Sequence, residues 1–299
     1  MSENLWLADR FEEHRGHLRA VAYRMLGSVA EADDAVQDTW LRLSRADRSD
    51  VENLGAWLTT VVARVCLNML RSRNHRREDA YGIHVPDPIL TGGAGQPEEE
   101  ALLADSIGLA LLVVLDTLTP AERLSFVLHD MFQLPFEEIA PMVGRTPQAA
   151  RQLASRARRR VRGADVPRPD PDLARQREVV DAFFQAARNA DFEHLVAVLS
   201  PDVVFRTDAG AGRQASVELH GATTVARHAL SGITSSLQRP AVHLRPALVN
   251  GAAGMIVTTL SGRPVTVIGF TVTEGRIAEI DAVSDPDRVR AIVEAGADR

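Results

Sequence analysis

The chain has 299 residues with 34 basic and 40 acidic side chains, giving a net charge of −6; one hydrophobic core rarely serves such a length, so two or three compact units are expected. Apolar residues make up 45% and charged residues 25%, which excludes wholesale disorder, collagen and a continuous coiled coil. Every basic residue is arginine, a side chain that grips phosphate through a planar fork and stays protonated near neutral pH; GC-rich codon usage would give the same bias.

No run approaches the roughly 20 apolar residues of a membrane span, the longest being Ile107 to Leu115. Glu3 and Asp9 leave the amino terminus without a signal-peptide pattern, so a cytoplasmic location is expected. Cys66 has no internal disulfide partner. Lying among Val62, Val65 and Met69, it reads as a small buried hydrophobe.

Residues 1–78 carry helical spacing. Phe11, Leu18, Val21, Ala22, Met25 and Leu26 form one apolar stripe, which Gly27 and Ser28 end; Ala32, Ala35, Val36, Trp40 and Leu43 form a second. After a polar loop, Ala46 to Asn53, a third helix carries Leu58, Val61, Val62, Val65 and Met69 on one side and Thr60, Arg64 and Arg71 on the other. Residues 79–105 form a linker: Pro86, Pro88, Gly92, Gly93, Gly95 and Pro97 stand there without periodic hydrophobics.

Helices resume over 106–165, at Ile107 to Leu118, Pro120 to Phe132, Phe136 to Met142 and Pro147 to about Arg162. Gly144 suits a left-handed cap, Thr146 an N-cap and Pro147 the first helical position, which is the grammar of a helix-turn-helix. Pro141 limits the first of its helices to a short or kinked one. Ala150, Ala154, Ala157 and Val161 face inward, while Gln148, Ala149, Arg151 and Gln152 stand where base edges are read in a major groove. Arg145, Arg151, Arg156, Arg158, Arg159, Arg160 and Arg162 occur with no acid between Glu138 and Asp165. A basic run alone is also what a solvated helix surface looks like; the preceding turn is what points to DNA.

A proline-rich break, 166–172, precedes an α+β unit over 173–299. Two amphipathic helices (Val179, Val180, Phe183, Phe184; then Phe192, Leu195, Val196, Leu199) are followed by strand-like runs at Val203 to Thr207, Val242 to Asn250, Met255 to Leu260, Val265 to Thr273 and Ile277 to Val283. Asn250-Gly251, Ser261-Gly262 and Glu274-Gly275 mark hairpin turns, so an antiparallel meander wrapped around the helices is expected.

The order of these elements resembles the extracytoplasmic-function (ECF) sigma factors. EADDAVQDTWLRL (Glu31 to Leu43) is similar to that family's polymerase-binding helix, and AWLTTVVARVCLNMLRSRNHRRE (Ala56 to Glu78) to its promoter-melting segment. LTPAERLSFVLHDMFQLPFEEIA (Leu118 to Ala140) with the helix-turn-helix resembles the domain that reads the upstream promoter element. The resemblance spans residues 8–163. It implies that Asp34, Gln37, Asp38 and Leu41 meet the β′ clamp helices of RNA polymerase core, and that Arg64, Asn68, Arg71, Arg73, Arg76 and Arg77 line the opened DNA. In the second module it places Arg145, Thr146, Gln148, Ala149, Arg151, Gln152, Arg156, Arg158 and Arg159 at duplex promoter DNA. The loop Ala46 to Asn53 would take an unstacked base.

Residues 173–290 resemble the SnoaL-like, NTF2-like extension of the SigJ-type subgroup, whose linker carries a W-L-P-E-P motif and whose extension carries D-G-G-G-K and terminal N-P-D-K-L motifs. Here these positions read His84-Val85-Pro86-Asp87-Pro88, Asp208-Ala209-Gly210-Ala211-Gly212-Arg213 and Ser284-Asp285-Pro286-Asp287-Arg288. The resemblance implies a regulatory contact of Pro86, Asp87 and Pro88 with Asp208, Gly210, Gly212 and Arg213. The expected fold is therefore two all-α sigma domains, the second with a helix-turn-helix, followed by a cone-like α+β domain.

Other readings remain open. The same cone fold hosts enzymes, with Asp208, His220, His243 and Asp281 as candidate groups, and small-molecule sensors, whose ligand would sit in the carboxy-terminal domain. A factor binding duplex DNA without polymerase is a third reading. No cofactor or metal is expected: His14 and His17 have no second pair at ligand spacing, and no phosphate-cradling loop or nucleophile elbow occurs.

Overall fold

The structure, a computed structural model, describes residues 3–46, 53–77, 83–91, 108–164, 166–210, 216–236 and 242–297. Residues 47–52 of the polar loop, Gly212 and Arg213 lie outside these, as do the side chains of Arg76 and Arg77. The chain divides into two compact units, one of residues 1–81, 101–103 and 114–165, the other of 82–100, 104–113 and 166–299. Among the described residues no helix is long and apolar enough to cross a membrane.

In the first unit, α1 (Glu3–Leu26), α2 (Val29–Leu43) and α3 (Leu54–Arg77) pack together. Gly27 turns the chain with a φ of +70°, a conformation only glycine adopts cheaply. Ser28 then caps α2 by accepting the Glu31 N–H. The three stripes meet in a core of Phe11, Leu18, Val21, Met25, Val36, Leu58, Val62 and Cys66. Burial pushes the Cys66 thiol up to about 12, against the opposing pull of the Arg123 charge. It is an inert core group.

Next come α4 (Leu109–Asp116) and α5 (Pro120–Phe126). A capping box starts α5, with the Thr119 hydroxyl taking the Glu122 N–H and the Glu122 carboxylate taking that of Thr119. The helix expected to run to Phe132 instead widens into a single π-turn, Val127–Met131. After α6 (Phe136–Val143) and the turn at Gly144, α7 (Pro147–Gly163) follows. Arg123 of α5 is 2% exposed; its Nε donates to the Arg24 carbonyl at 3.2 Å and its guanidinium pairs with Asp116. Beside it, Phe132 meets the His17 ring edge-on at 5.3 Å.

The second unit contains a seven-stranded sheet of order β1-β4-β5-β6-β7-β2-β3. Its strands are β1 (Leu90–Thr91), β2 (Leu199–Asp208), β3 (Val217–His220), β4 (Val242–Val249), β5 (Ala252–Thr259), β6 (Pro264–Thr273) and β7 (Arg276–Val283). The helices are α8 (Leu173–Arg188), α9 (Phe192–Val198), α10 (Ala222–Ser236) and α11 (Pro286–Ala297). Asn250-Gly251 and Glu274-Gly275 make the β4–β5 and β6–β7 hairpins, all four residues having positive φ as a type I′ turn requires.

The purely antiparallel meander is corrected in one place: β2 pairs with β7 in parallel, through a long connection that includes β4 to β6. Val180, Phe183, Leu195, Val225, Met255, Phe270 and Ile280 fill the space between helices and sheet. Each such side chain contributes about 1.5–3 kcal/mol by leaving water. The unit is an α+β fold in which helices pack on one mixed sheet, the class that its sequence was expected to form.

Candidate functional site

Three surfaces carry the residues singled out from the sequence. On α2, Asp34, Gln37 and Leu41 are exposed, and Asp38 beside them pairs with Arg42 at 3.0 Å. Their spacing of three, four and seven puts them on one helical face. Leu41 is 42% exposed in the midst of these polar groups, an apolar anchor inside an acidic stripe. Asp33, to one side, is held bidentately by Arg19 at 2.6 and 2.9 Å.

On α3, Arg64, Asn68 and Arg71 stand exposed along one side. Arg73 does not join them. It is turned inward, donating to the carbonyl of Leu26 at 3.1 Å and pairing with Glu31, so it closes the carboxy-terminal end of α1.

The helix-turn-helix is built by local chemistry. Gly144 ends α6 with a φ of +67°. Thr146 caps α7 through the Ala149 N–H at 3.3 Å, and Pro147 occupies the first turn, where no N–H is needed. Pro141 lies in the last turn of an eight-residue α6, which limits the lost backbone bonding to one site. Ala150, Ala154 and Ala157 are fully buried and bring α7 close to α5 and α6. Arg145, Gln148, Arg151 and Gln152 are exposed at the amino-terminal end, Ala149 is half-buried, and Arg159 and Arg162 are exposed further along.

The arginines of α7 fall into two sets. Arg158 pairs with Asp130 at 2.7 Å, and Arg160 with Glu122 at 3.2 Å and the Thr117 carbonyl at 3.3 Å. Arg156 approaches Glu122 at 3.8 Å while remaining exposed. In the free protein Arg158 thus ties α7 to the π-turn. Among the described residues Arg145, Arg151, Arg159 and Arg162 form no ion pair, and Arg151 lies over the Phe136 ring.

The third surface lies within the second unit, where residues 84–91 of the linker dock on the cone. Asp208, at the end of β2, is the hub: one carboxylate oxygen accepts from His84 Nδ1 at 3.1 Å, Val85 N at 3.1 Å and Arg288 Nη1 at 2.6 Å. The other oxygen accepts the Gly210 N–H at 2.9 Å. Arg288 also donates to Asp87 at 2.7 Å and to the Val85 carbonyl at 2.5 Å. Burial would raise the Asp208 pKa; His84, the Gly210 and Val85 N–H groups and the Arg288 charge outweigh it and hold the carboxyl well below its usual range.

Asp285 accepts the Asp287 and Arg288 N–H groups at the start of α11 and so presents Arg288 to the linker. Gly210 is required there, since its φ is +67° and a Cβ would collide with Asp285. Further along, Ile89 exchanges two hydrogen bonds with Asn250, at 3.0 and 2.8 Å. Leu90 and Thr91 then pair with Val249 and Leu248 as β1. Val85 and Ile89 are 0% and 1% exposed, and Pro86 and Pro88 are buried with them.

Of the residues weighed for catalysis, Asp208 is committed to the linker, His220 is exposed against Glu218, and His243 is exposed on β4. Asp281 lies on β7, three strands from β4, or about 14 Å at the usual strand spacing. It pairs with Arg206 at 3.1 Å, and burial, with Glu279 nearby, pushes its carboxyl up to about 7. These groups do not form one site.

Comparison with known proteins agrees with this layout. The Sigma-70 region 2 family matches residues 10–76 and the Sigma-70 region 4 family residues 108–161. The ECF RNA polymerase sigma factor SigJ of Mycobacterium tuberculosis is 38% identical over 291 residues, covering 93% of this chain and 91% of SigJ. The probable ECF RNA polymerase sigma factor SigI of the same species is 32% identical over 302 residues, covering 99% of this chain and all of SigI. The crystal structure of Mycobacterium tuberculosis SigJ superposes with a TM-score of 0.75 at 35% identity, covering 94% of this chain and 97% of that one.

Proposed function

Because the chain belongs to the ECF RNA polymerase sigma factors, which bind core polymerase and promoter DNA and are not enzymes, we propose a residue-level division of that work. Asp34, Gln37, Asp38 and Leu41 dock on the polymerase clamp, their common exposed face being the observation that carries the assignment. Arg64, Asn68 and Arg71 follow the separated downstream strand, where cations and stacking offset an unstacking cost of a few kcal/mol. Arg145, Gln148, Ala149, Arg151 and Gln152 read the upstream duplex, Arg156 and Arg159 hold its phosphates, and Thr146 fixes the start of the reading helix.

Run-off transcription with purified core polymerase and a promoter library tests this division. Asp34→Ala with Leu41→Ala is expected to abolish assembly with core, and Arg71→Ala to leave assembly intact while slowing template opening. Normal assembly by the first variant would refute the clamp assignment.

We further propose that the linker clamp centred on Asp208 and Arg288 modulates promoter output. A tether held by a buried carboxylate and a two-way arginine has fewer arrangements open to it than a free one. Arg288→Met and Asp208→Asn are expected to change run-off yield from the full-length protein at equal core saturation. Unchanged yield and unchanged core affinity in both would remove the proposal.

A second reading, that the cone senses a small molecule, is favoured by a groove of about 410 Å³ lined by Arg177, Arg245, Val180, Met255 and Val293. That size suits a ligand with an apolar body and an anionic group. A thermal-shift screen of small amphipathic carboxylates that found no stabilisation, at concentrations up to millimolar, would discard it.

A further inference from the structure

We propose that Phe136 is a positioning residue for promoter recognition, holding the guanidinium of Arg151 in place to grip one guanine of the upstream element. The inference rests on the reading of α7 as the helix that enters the major groove. Arg151 is the fifth residue of α7, exposed, with its Cζ 5.3 Å from the centre of the Phe136 ring. Phe136 begins α6 and is only 6% exposed, so its ring is fixed by what surrounds it.

The His129 ring stacks on Phe136 at 3.9 Å with 29° between planes. His129 is fixed in turn: its Nδ1 lies 2.9 Å from the Leu134 carbonyl, which can only accept, so the nitrogen donates. The π-turn carries His129, and such wide turns commonly mark functional positions. The result is a stack that runs from the π-turn through the first helix of the motif to the second.

An aromatic ring supports a guanidinium by its face, and the five N–H donors lie in the guanidinium plane. Supported in this way, Arg151 keeps its hydrogen-bonding edges unengaged among the described residues, whereas Arg158 and Arg160 use theirs on acids of the fold. Guanine presents O6 and N7 together to such a fork, and no other base does. A side chain ordered before binding loses less freedom when it docks. Phe136 therefore acts on specificity through Arg151 without touching DNA.

The test is selection of upstream elements from a randomised library by the full-length protein with core polymerase. Four variants are compared: Phe136→Leu, Phe136→Tyr, Arg151→Lys and Arg151→Ala. Arg151→Ala is expected to lose preference for guanine at one position by roughly 5- to 150-fold. Phe136→Leu is expected to weaken the same position alone by roughly 2- to 5-fold, with salt dependence unchanged. Phe136→Tyr restores the preference, because the ring is retained. Arg151→Lys, an exposed change that leaves packing alone, reproduces the loss even if Phe136→Leu lowers the unfolding temperature.

If Arg151→Ala leaves the selected sequences unchanged, the base-reading role of Arg151 fails and the inference falls with it. If Arg151→Ala shifts one position while Phe136→Leu shifts none, or all equally, Phe136 is only a core residue. Failure of Phe136→Tyr to restore the position, with Arg151→Lys behaving as wild type, overturns the inference as well.

Discussion

Replacing Arg288 by methionine removes a charge while keeping much of the side-chain volume. Asp208 and Asp87, whose side chains are 6% and 13% exposed, then lose their shared cation. Breaking a buried pair from one side costs about 3–5 kcal/mol, because the remaining charge stays desolvated. Asp208 keeps the N–H groups of Val85 and Gly210 and its contact with His84, so the lower end, about 3 kcal/mol, applies. That is roughly a 100-fold shift toward an undocked linker. Hydrogen exchange reads it directly, since the Val85 and Ile89 amides donate to Asp208 and Asn250. Both are expected to exchange about 100-fold faster in the variant, with amides of α3 and β6 unchanged. Equal protection of Val85 in the two proteins would refute the reasoning.

The pKa of Asp208, held low in the folded state, makes linker docking strongest above the ordinary carboxylate range; docking is lost as pH falls through the lowered value. Asp281 works in the opposite sense. With its carboxyl raised to about 7, its contribution is most favourable below the ordinary carboxylate range and declines as pH rises from about 4 toward 7. Asp281→Asn should therefore flatten the fall in unfolding temperature between pH 4 and about 7, measured by calorimetry. In salt titrations of promoter binding, Arg159→Ala is expected to reduce the log–log slope by about 0.9. Arg158→Ala should leave that slope alone and lower stability through Asp130. Cys66, buried and with its thiol pushed up to about 12, should resist thiol reagents in the native protein and react only on unfolding.

The parts readable from the sequence are those fixed by neighbours along the chain. Gly144, Thr146 and Pro147 act within a few residues, and they place the turn where it lies. The Asn250-Gly251 and Glu274-Gly275 hairpins follow from the same locality. Arg73 and Arg158, by contrast, look like any other arginine of a basic helix, because Glu31 and Asp130 are distant in sequence. Arg288 belongs to a segment noted for resemblance, yet its charge acquires meaning only beside Asp87 and Asp208. Three elements escaped the reading: β1 has two residues in a proline-rich linker, β3 has four, and α10 carries Ala222, Val225, Ala226, Ala229 and Leu230 at helical spacing, but small side chains make that stripe faint. The helix α11 was legible only as a terminal motif.

Asp87 precedes Arg288 by 201 residues. A ribosome adding about 5–20 residues per second needs roughly 10–40 s to cover that distance. Both helical modules leave the exit tunnel well before the arginine that will fasten the tether between them exists. Each newly made molecule thus passes through an interval in which it can meet polymerase with its tether loose, and rapid synthesis shortens that interval.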